Sequence, residues 1–370
     1  MQRGESEDAG TRLPQAMRAV FLTGHGGPDR LELRDDVAVP QPAPNEVLIA
    51  VAACGVNNTD INMRTGWYAR EVSGSTGATE VAPGVDGSWR GGIEFPLIQG
   101  ADPVGRIVAV GDQVDEERIG ERVLVDPWIR DPGGETSAAR YVGSDVDGGF
   151  AEYLTVPSLN AHPVLSDLSD VELASFPCSF AAAENMLQRS AVSSGQWVLV
   201  TGASGGVGGA LVQLAKRRHA RVLALTSGAK LGSIRELGAD VVLDRRREDL
   251  GDAIFDATGG IDVVTDVVGG ALFSTVFDAI RPGGDYATAG AVAGPLVTLD
   301  LRTLYLNDIT MHGCTQFPAE VFSALVGYIE REEIRPIVAG SFPLEEIAAA
   351  QQMFLDKAHV GSIVLETSGA

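Results

Sequence analysis

The stretch that decides the fold of this chain runs Trp197-Val-Leu-Val-Thr-Gly-Ala-Ser-Gly-Gly-Val-Gly-Gly-Ala-Leu-Val-Gln-Leu-Ala-Lys216. Its first four residues are an apolar run typical of a buried β-strand. Five glycines follow within the eight residues 202–209, and the apolar residues after them recur with helical spacing. A strand, a glycine turn and a helix in this order are half of a dinucleotide-binding unit.

The glycine turn itself predicts how a dinucleotide would be held. Gly205 lets the backbone approach a pyrophosphate, and Gly208 lets the helix pack closely on the strand. The N–H groups and the positive dipole end of the helix at 207–209 then face the phosphates. A plain βα turn of an unrelated sheet protein is the alternative. The predicted cofactor contacts here are Ala203, Ser204, Gly205, Gly206, Val207 and Gly208.

Composition limits the possible partners and the location of the protein. A length of 370 residues with 45% hydrophobic residues predicts two ordinary folded domains. A formal net charge of −22 opposes binding to nucleic acid or to anionic membranes. Cys54, Cys178 and Cys314 lie too far apart for a CxxC motif or a disulfide framework. With a polar first segment and no apolar run long enough for a bilayer, we expect a cytoplasmic protein with a disordered tail over 1–16.

Along the chain, the pattern changes from β-rich to alternating strands and helices, which predicts an α/β protein. Alternating or apolar runs separated by Pro and Gly fill much of 17–163. From 169 onward we predict one helix over 170–189, and then strands and helices in regular alternation, typical of a parallel sheet covered on both faces. The Gly/Ser/Thr-rich stretch 69–92 lacks periodicity, and a lid or a disordered insertion explains it equally well.

Several stretches, in the right order, resemble the medium-chain dehydrogenase/reductase superfamily. They are Cys54-Gly-Val-Asn-Asn-Thr-Asp-Ile-Asn-Met-Arg-Thr-Gly-Trp-Tyr68, Gly100-Ala-Asp-Pro-Val-Gly-Arg-Ile-Val-Ala-Val-Gly111, Gly149-Phe-Ala-Glu-Tyr153, Gly202-Ala-Ser-Gly-Gly-Val-Gly208 and Asp262-Val-Val-Thr-Asp-Val-Val-Gly269. The chain looks most similar to the zinc-independent branch of quinone oxidoreductases and enoyl reductases.

This resemblance implies a domain arrangement. A GroES-like β-barrel catalytic domain would cover 17–168, and a Rossmann domain with a doubly wound parallel sheet would cover 169–312. Residues 313–370 would return to the catalytic domain. The resemblance also implies a homodimer formed through the outer Rossmann strand.

The end of the second Rossmann strand predicts NADPH as the cofactor. An NAD site generally has an acid about 20 residues beyond the glycines, whereas this chain has Thr226, Ser227 and Lys230 there. Hydroxyls and an ammonium suit a 2′-phosphate, although Lys230 is equally explained as a solvated lysine. The resemblance adds cofactor contacts near the nicotinamide and next to the strand ends, namely Val268, Gly269, Ala289, Gly290 and Ala291.

The chain lacks the ligands that zinc-dependent relatives use. At the matching positions it has Asn57, Ala101-Asp102 and Cys178, and an amide is a poor zinc ligand. We therefore predict no metal. Removing the proton of a simple alcohol normally needs zinc, so reduction of an already polarised acceptor is the easier task.

The stretch 56–68 resembles the enoyl-reductase motif in which the last tyrosine is the proposed acid. Tyr68 is the candidate proton donor; a hydrophobic wall made by Trp67 and Tyr68, with solvent as donor, is the alternative. Asn57 and Thr59 can hydrogen-bond the nicotinamide ribose or a substrate oxygen, or simply form a turn.

These observations predict an NADPH-dependent reductase of quinones or activated C=C bonds, acting on a small apolar conjugated carbonyl or quinone. An alcohol dehydrogenase or carbonyl reductase, which should need a metal or an unrecognised acid, is a second interpretation. A non-catalytic NADPH-binding regulatory protein is a third.

Overall fold

The structure of the protein is a computed structural model that describes residues 13–77, 87, 92–130 and 139–367. Most of the predicted tail, residues 1–12, lies outside these ranges. So do residues 78–86 and 88–91 of the stretch interpreted as a lid or an insertion.

The strands and helices of the described residues follow the predicted change from β-rich to alternating. The strands are β1 (Ala16–Leu22), β2 (Leu31–Ala38), β3 (Glu46–Val56), β4 (Leu97–Ile98), β5 (Asp102–Val110), β6 (Arg122–Val125), β7 (Trp128–Ile129), β8 (Arg140–Tyr141), β9 (Tyr153–Pro157), β10 (Ala161–Pro163), β11 (Trp197–Val200), β12 (Arg221–Thr226), β13 (Val241–Asp244), β14 (Ile261–Asp266), β15 (Ile280–Thr288), β16 (Thr310–Gly313), β17 (Val338–Pro343) and β18 (Ser362–Glu366). The helices are α1 (Asn58–Thr65), α2 (Asp170–Leu173), α3 (Pro177–Arg189), α4 (Gly206–Arg217), α5 (Leu231–Glu236), α6 (Leu250–Thr258), α7 (Phe273–Asp278), α8 (Leu301–Leu306), α9 (Ala319–Glu330) and α10 (Ile347–Asp356).

The second half of the chain builds a six-stranded sheet in the order β13-β12-β11-β14-β15-β16. All neighbouring strands are parallel. This is the doubly wound order in which the chain crosses back at the first strand, and ligands bind at the carboxyl ends of the strands beside that reversal. The predicted α/β class with a Rossmann sheet is therefore confirmed. The strand β11 is fully buried, as its apolar run requires.

The first half of the chain forms a largely antiparallel sheet around β3. Its order is β10-β6-β5-β3-β18-β17, with β9 also pairing with β3. The strand β18 pairs antiparallel with β3, from Ile363 opposite Val56 to Glu366 opposite Ala53. The last strands of the chain thus lie in the sheet that its first strands build, although the domain limits given above stay predictions.

The prediction of one helix over 170–189 is wrong. A short helix, α2, ends at Leu173, and α3 starts at Pro177. Proline has no N–H to donate and restricts the residue before it, so it begins a helix more readily than it continues one. The break places Cys178 in the first turn of α3.

Within the described part of the chain, the protein has no helix that is both long and apolar enough to cross a bilayer.

Candidate active site

The glycine turn has the geometry that its sequence predicts. Gly202 has φ +58°, which favours glycine, and Gly205 is the N-cap of α4. A Cβ on Gly208 would stand 2.1 Å from the carbonyl oxygen of Gly202, so only glycine lets α4 pack this closely after β11. The first N–H groups of α4 have no partner within the helix and carry its positive dipole end. The turn is therefore built to receive a phosphate.

A second close contact connects the glycine turn with α3. A Cβ on Gly206 would come 2.5 Å from Oγ of Ser179. The first turn of α3 thus lies directly beside the first turn of α4. This contact places Cys178 in the same cleft as the glycine turn, although the turn begins 24 positions later in the sequence.

The residues that are predicted to bind the 2′-phosphate lie at and just after the end of β12. The hydroxyl of Thr226 is buried and has no hydrogen-bond partner among the described residues. Nζ of Lys230 lies 3.4 Å from Oγ of Ser204 in the glycine turn and 2.5 Å from the carbonyl oxygen of Lys357. Lys230 is half-buried and bridges the glycine turn and the end of α10. Ser227, next to it, is half-buried.

Lys357 is a cation that sequence reasoning missed. Its Nζ lies 3.2 Å from Oδ1 of Asn58 and 3.8 Å from the ring centre of Phe354. Burial, and then the positive charge of Lys230, lower its pKa to about 8. In the described residues neither lysine has a carboxylate in salt-bridge contact. In an acidic chain, two neighbouring ammonium groups without a carboxylate are well suited to an anionic ligand. The sequence carried no signal for it: Lys357 ends α10 with φ +52°, a strained conformation for a non-glycine residue, and only the structure shows this.

A carboxylate also stands near this group. A Cβ on Gly228 would meet Oδ2 of Asp244 at 2.7 Å, and the N–H of Arg246 donates to Oδ1 of Asp244 at 3.0 Å. Asp244 is the last residue of β13, which is one strand beyond the strand that carries the acid of an NAD site. The neighbouring Arg245 is exposed, and its positive charge lowers the pKa of Lys230, after the larger effect of burial.

The nicotinamide end of the predicted cofactor site is organised by the buried Asp266. Its carboxylate accepts hydrogen bonds from the N–H groups of Val268 (2.8 Å) and Gly269 (3.1 Å), from Thr201 (2.6 Å) and from the hydroxyl of Tyr286 (2.7 Å). The loop that carries Val268 and Gly269 is therefore held rigidly.

The stretch after β15 joins this loop. The N–H of Val292 donates to the carbonyl of Val267 at 3.2 Å, which brings the segment Ala289, Gly290 and Ala291 alongside the Asp266 loop. Cys314 follows β16, and its N–H donates to the carbonyl of Thr288 at 2.8 Å. The residues assigned to the nicotinamide end thus lie together at the carboxyl edge of the sheet.

The stretch 57–68, in which Asn57 and Thr59 would form a turn in the alternative interpretation, contains a helix. Asn57 is the N-cap of α1, its N–H donating to Oδ2 of Asp60 at 2.7 Å, and Gly66 ends the helix with φ +70°. Asp and Asn at the first positions and glycine at the last are ordinary helix boundaries. The helix has only eight residues, so its periodic pattern was too short and weak to predict it from the sequence.

Tyr68 lies just beyond α1 and is half-buried. Its phenol oxygen hydrogen-bonds the side chains of Asn62 and Thr59 on α1, and burial raises its pKa to about 12. The amide NH₂ of Asn62 can only donate, so Tyr68 accepts there and its own proton remains one that it can give. Tyr68 also packs in one cluster with Trp67 and Ala291. The structure therefore brings the candidate acid next to the predicted nicotinamide contacts.

Asn57, Asp102, Cys178 and Tyr141 form a buried group that we call the Asp102 corner. Nδ2 of Asn57 donates to Oδ2 of Asp102 at 2.8 Å, and the N–H of Cys178 donates to Oδ1 of Asp102 at 2.7 Å. Burial raises the pKa of Asp102 to about 8. The Tyr141 hydroxyl hydrogen-bonds the Cys178 thiol, and burial, followed by the charge of Asp102, holds the pKa of that thiol well above its usual range.

The donor set of the Asp102 corner does not fit catalytic zinc. Asn57 turns an NH₂ group, which is no metal ligand, toward the carboxylate, and both oxygens of Asp102 already accept hydrogen bonds. The histidine position holds Ala101. No cluster of three His, Cys, Asp or Glu side chains suited to a metal ion occurs in the described ranges.

Comparisons with known proteins agree with this architecture. The model for the alcohol dehydrogenase GroES-like domain matches residues 43–166, and the model for zinc-binding dehydrogenase matches residues 206–331. The quinone oxidoreductase of Lama guanicoe is 30% identical over 347 residues, which cover 91% of this chain and 93% of the relative. The chain belongs to the medium-chain dehydrogenase/reductase superfamily.

Other members of the superfamily extend the comparison. The acryloyl-coenzyme A reductase of Metallosphaera sedula is 29% identical over 370 residues, covering 95% of this chain and all of the relative. A crystal structure described as that of a candidate alcohol dehydrogenase from Sinorhizobium meliloti 1021 is 47% identical, with a TM-score of 0.89 over 96% of this chain and 97% of the other. The predicted superfamily and the GroES-like and Rossmann folds are confirmed, and the chain is an oxidoreductase of this superfamily.

Proposed function

We propose that the protein is an NADPH-dependent reductase of quinones or activated C=C bonds that works without a metal. The Asp102 corner carries this proposal, because an amide–carboxylate hydrogen bond occupies the place where zinc-dependent relatives bind their ion. Without a Lewis acid, an acceptor that is already polarised by conjugation is the easier one to reduce. The names of the quinone oxidoreductase and the acryloyl-coenzyme A reductase support the same class of acceptor.

Two features of the cleft favour NADPH as the cofactor. The glycine turn leaves room for a pyrophosphate at the start of α4, and Gly208 makes that close approach possible. Lys230 and Lys357 meet beside Ser204 without a carboxylate in salt-bridge contact, which favours a 2′-phosphate over the bare hydroxyl of NADH. In this proposal the turn holds the pyrophosphate, and Thr226, Ser227, Lys230 and Lys357 hold the 2′-phosphate.

The proposed chemistry separates hydride and proton. When bound, NADPH supplies a hydride to the β-carbon of the acceptor. Tyr68 gives a proton to the enolate that results, since a phenol with a raised pKa stays protonated at neutral pH. Thr59 and Asn62 orient the phenol, Asn57 is held by Asp102, and the wall of Trp67 and Ala291 keeps the site apolar.

The reductase proposal is tested with NADPH and a panel of enones and quinones, followed by the loss of absorbance at 340 nm. We expect turnover of several conjugated acceptors, and none of isolated alkenes. Binding of NADPH without oxidation across the whole panel would favour a non-catalytic regulatory protein instead.

An alcohol dehydrogenase is the second candidate, favoured by the description of the 47% identical structure. It predicts oxidation of simple alcohols with NADP⁺ or NAD⁺ and a zinc ion in the purified protein. Rates with primary and secondary alcohols, measured beside those with enones, separate the two candidates.

We also propose a homodimer formed through β16. This strand is the edge of the Rossmann sheet, and large apolar side chains are exposed on and beside it. They are Leu296, Leu301, Tyr305, Leu306 and Met311. An edge strand with an exposed apolar surface is a ready site for pairing with a second copy. Light scattering should give twice the chain mass for wild type and the mass of a single chain for Leu306→Glu. Leu165→Glu, also at an exposed leucine, should leave the dimer intact.

The cytoplasmic location stays a prediction.

A further inference from the structure

His359 lies two residues beyond Lys357, beside the pair of lysines at the proposed 2′-phosphate site. Its ring packs against Phe354, with 5.8 Å between ring centres. Its Nδ1 atom is buried and has no hydrogen-bond partner among the described residues. A buried polar nitrogen without a partner is rare and costs stability, so it needs an explanation.

The surroundings of His359 are cationic. Burial is the main cause that lowers its pKa, followed by the positive charges of Lys357 and Lys230. A backbone hydrogen bond with Met353 and the charge of Asp356 act in the opposite direction. Asp356 is exposed, so solvent weakens the effect of its charge on the ring. Without a ligand, the ring is therefore neutral at pH 7.

An anion beside the two lysines reverses this balance. A doubly charged phosphate offsets the repulsion from Lys357 and Lys230 and favours a proton on the ring. Protonation turns the unpartnered Nδ1 from an acceptor into a donor, which is the role that a phosphate oxygen requires.

We propose that His359 is the third cation of the 2′-phosphate site and takes up a proton when NADPH binds, so that the preference for NADPH over NADH increases as the pH falls. This inference rests on the proposed NADPH preference. The protein would then be a reductase whose choice of cofactor responds to pH near neutrality.

The direction of the pH effect follows from linkage. The ring has a lower pKa in the free protein than in the complex, so binding takes up a proton between the two values. Affinity for NADPH rises as the pH falls through this window and levels off below the pKa of the free protein. NADH, which has no 2′-phosphate, should bind with little dependence on this group.

Two other groups titrate near the same range and must be separated from His359. Lys357, with a pKa of about 8, is already charged below pH 7. The 2′-phosphate of the cofactor titrates near pH 6 whatever the protein does. Measurements at pH 7.0 and 6.0 on matched variants therefore isolate the histidine.

The test compares dissociation constants of NADPH and NADH by calorimetry for wild type, His359→Asn, which never carries charge, and His359→Lys, which always does. In wild type, the ratio of the NADH to the NADPH constant should increase several-fold more between pH 7.0 and 6.0 than in His359→Asn, up to the limit of about 10-fold per pH unit that uptake of one proton sets. His359→Lys should show the high ratio at both pH values. Repeating the wild-type titration at pH 6.5 in two buffers of different ionisation enthalpy should reveal proton uptake that His359→Asn lacks.

The possible results separate the inference from the proposal beneath it. Equal pH dependence of the ratio in wild type and His359→Asn, with NADPH still preferred, overturns the role of His359 alone. Equal affinity for NADH and NADPH in wild type at both pH values overturns the NADPH preference as well.

Discussion

The glycine turn and the Asp102 corner stand near each other in the same cleft, but they are specified in different ways. The turn is continuous in sequence, and its geometry depends on missing side chains, above all at Gly208. The corner joins residues 45 and 76 positions apart, and its geometry depends on which side chains are present. In the proposed function, the turn holds the dinucleotide, whereas the corner decides what chemistry the bound cofactor performs.

The largest effect should come from adding a side chain at Gly208 in the glycine turn. Gly208→Ala puts a methyl group 2.1 Å from the carbonyl oxygen of Gly202, so α4 must move away from β11. We expect nucleotide binding to be lost and the free energy of unfolding to fall by about 3 kcal/mol, measured by calorimetry and by denaturant titration.

Gly209→Ala is the matched control for this change. Its new methyl group would lie 3.7 Å from Cδ1 of Leu237, an ordinary contact. Stability and binding should remain at or slightly above the wild-type level. Equal losses in both variants would show that close packing at Gly208 is not what the turn requires.

Removing the proposed acid tests the other end of the cleft. Tyr68→Phe keeps the ring and its packing against Trp67 but removes the hydroxyl that Asn62 and Thr59 hold. We expect kcat with an enone to fall about 100-fold while the dissociation constant of NADPH stays unchanged. Tyr305→Phe, at an exposed tyrosine on α8, serves as the control. Turnover within about twofold of wild type in Tyr68→Phe would assign the proton to solvent.

These two regions also show how much the sequence could predict. The doubly wound parallel sheet and the glycine turn both follow from local patterns, and both were predicted. The helix α1 was missed because eight residues give too weak a periodic signal. Lys357 was missed because it reaches Lys230, 127 positions away, only through the return of the C-terminal segment. No spacing rule expresses such a contact.

Lys230 and Lys357 are proposed to select NADPH over NADH. Lys357→Gln should weaken NADPH binding about 10-fold or more, with little change for NADH, because one charged contact to the 2′-phosphate is lost. Lys216→Gln is the control, since Lys216 pairs with Asp240 in a separate salt bridge. A parallel loss for NADH and NADPH in Lys357→Gln would mean that the lysine supports the fold rather than selecting the phosphate.

The smallest effect concerns the protonation of Asp102 in the corner. The pKa of Asp102 is raised from 3.8 to about 8, mainly by burial, so the native state keeps a proton that the unfolded chain releases above pH 4. This contribution to stability is complete below pH 4 and is lost as the pH rises through about 8.

Asp102→Asn removes that titration. Between pH 5 and 7, the free energy of unfolding should fall less steeply in the variant than in wild type, by up to about 1.4 kcal/mol per pH unit. Asp167→Asn, at an exposed aspartate, should keep the wild-type slope. Identical slopes in all three proteins would show that Asp102 is ionised in the native state throughout this range.

Turnover of an enone by protein freed of metal tests the central claim most directly. The protein is treated with a strong chelator, its zinc content is determined by mass spectrometry, and NADPH oxidation is followed at 340 nm with and without added zinc. The account predicts full activity at less than 0.1 zinc per chain, about a tenth of what a catalytic site needs, and no gain on adding the ion. Activity that disappears with the chelator and returns with stoichiometric zinc would contradict it.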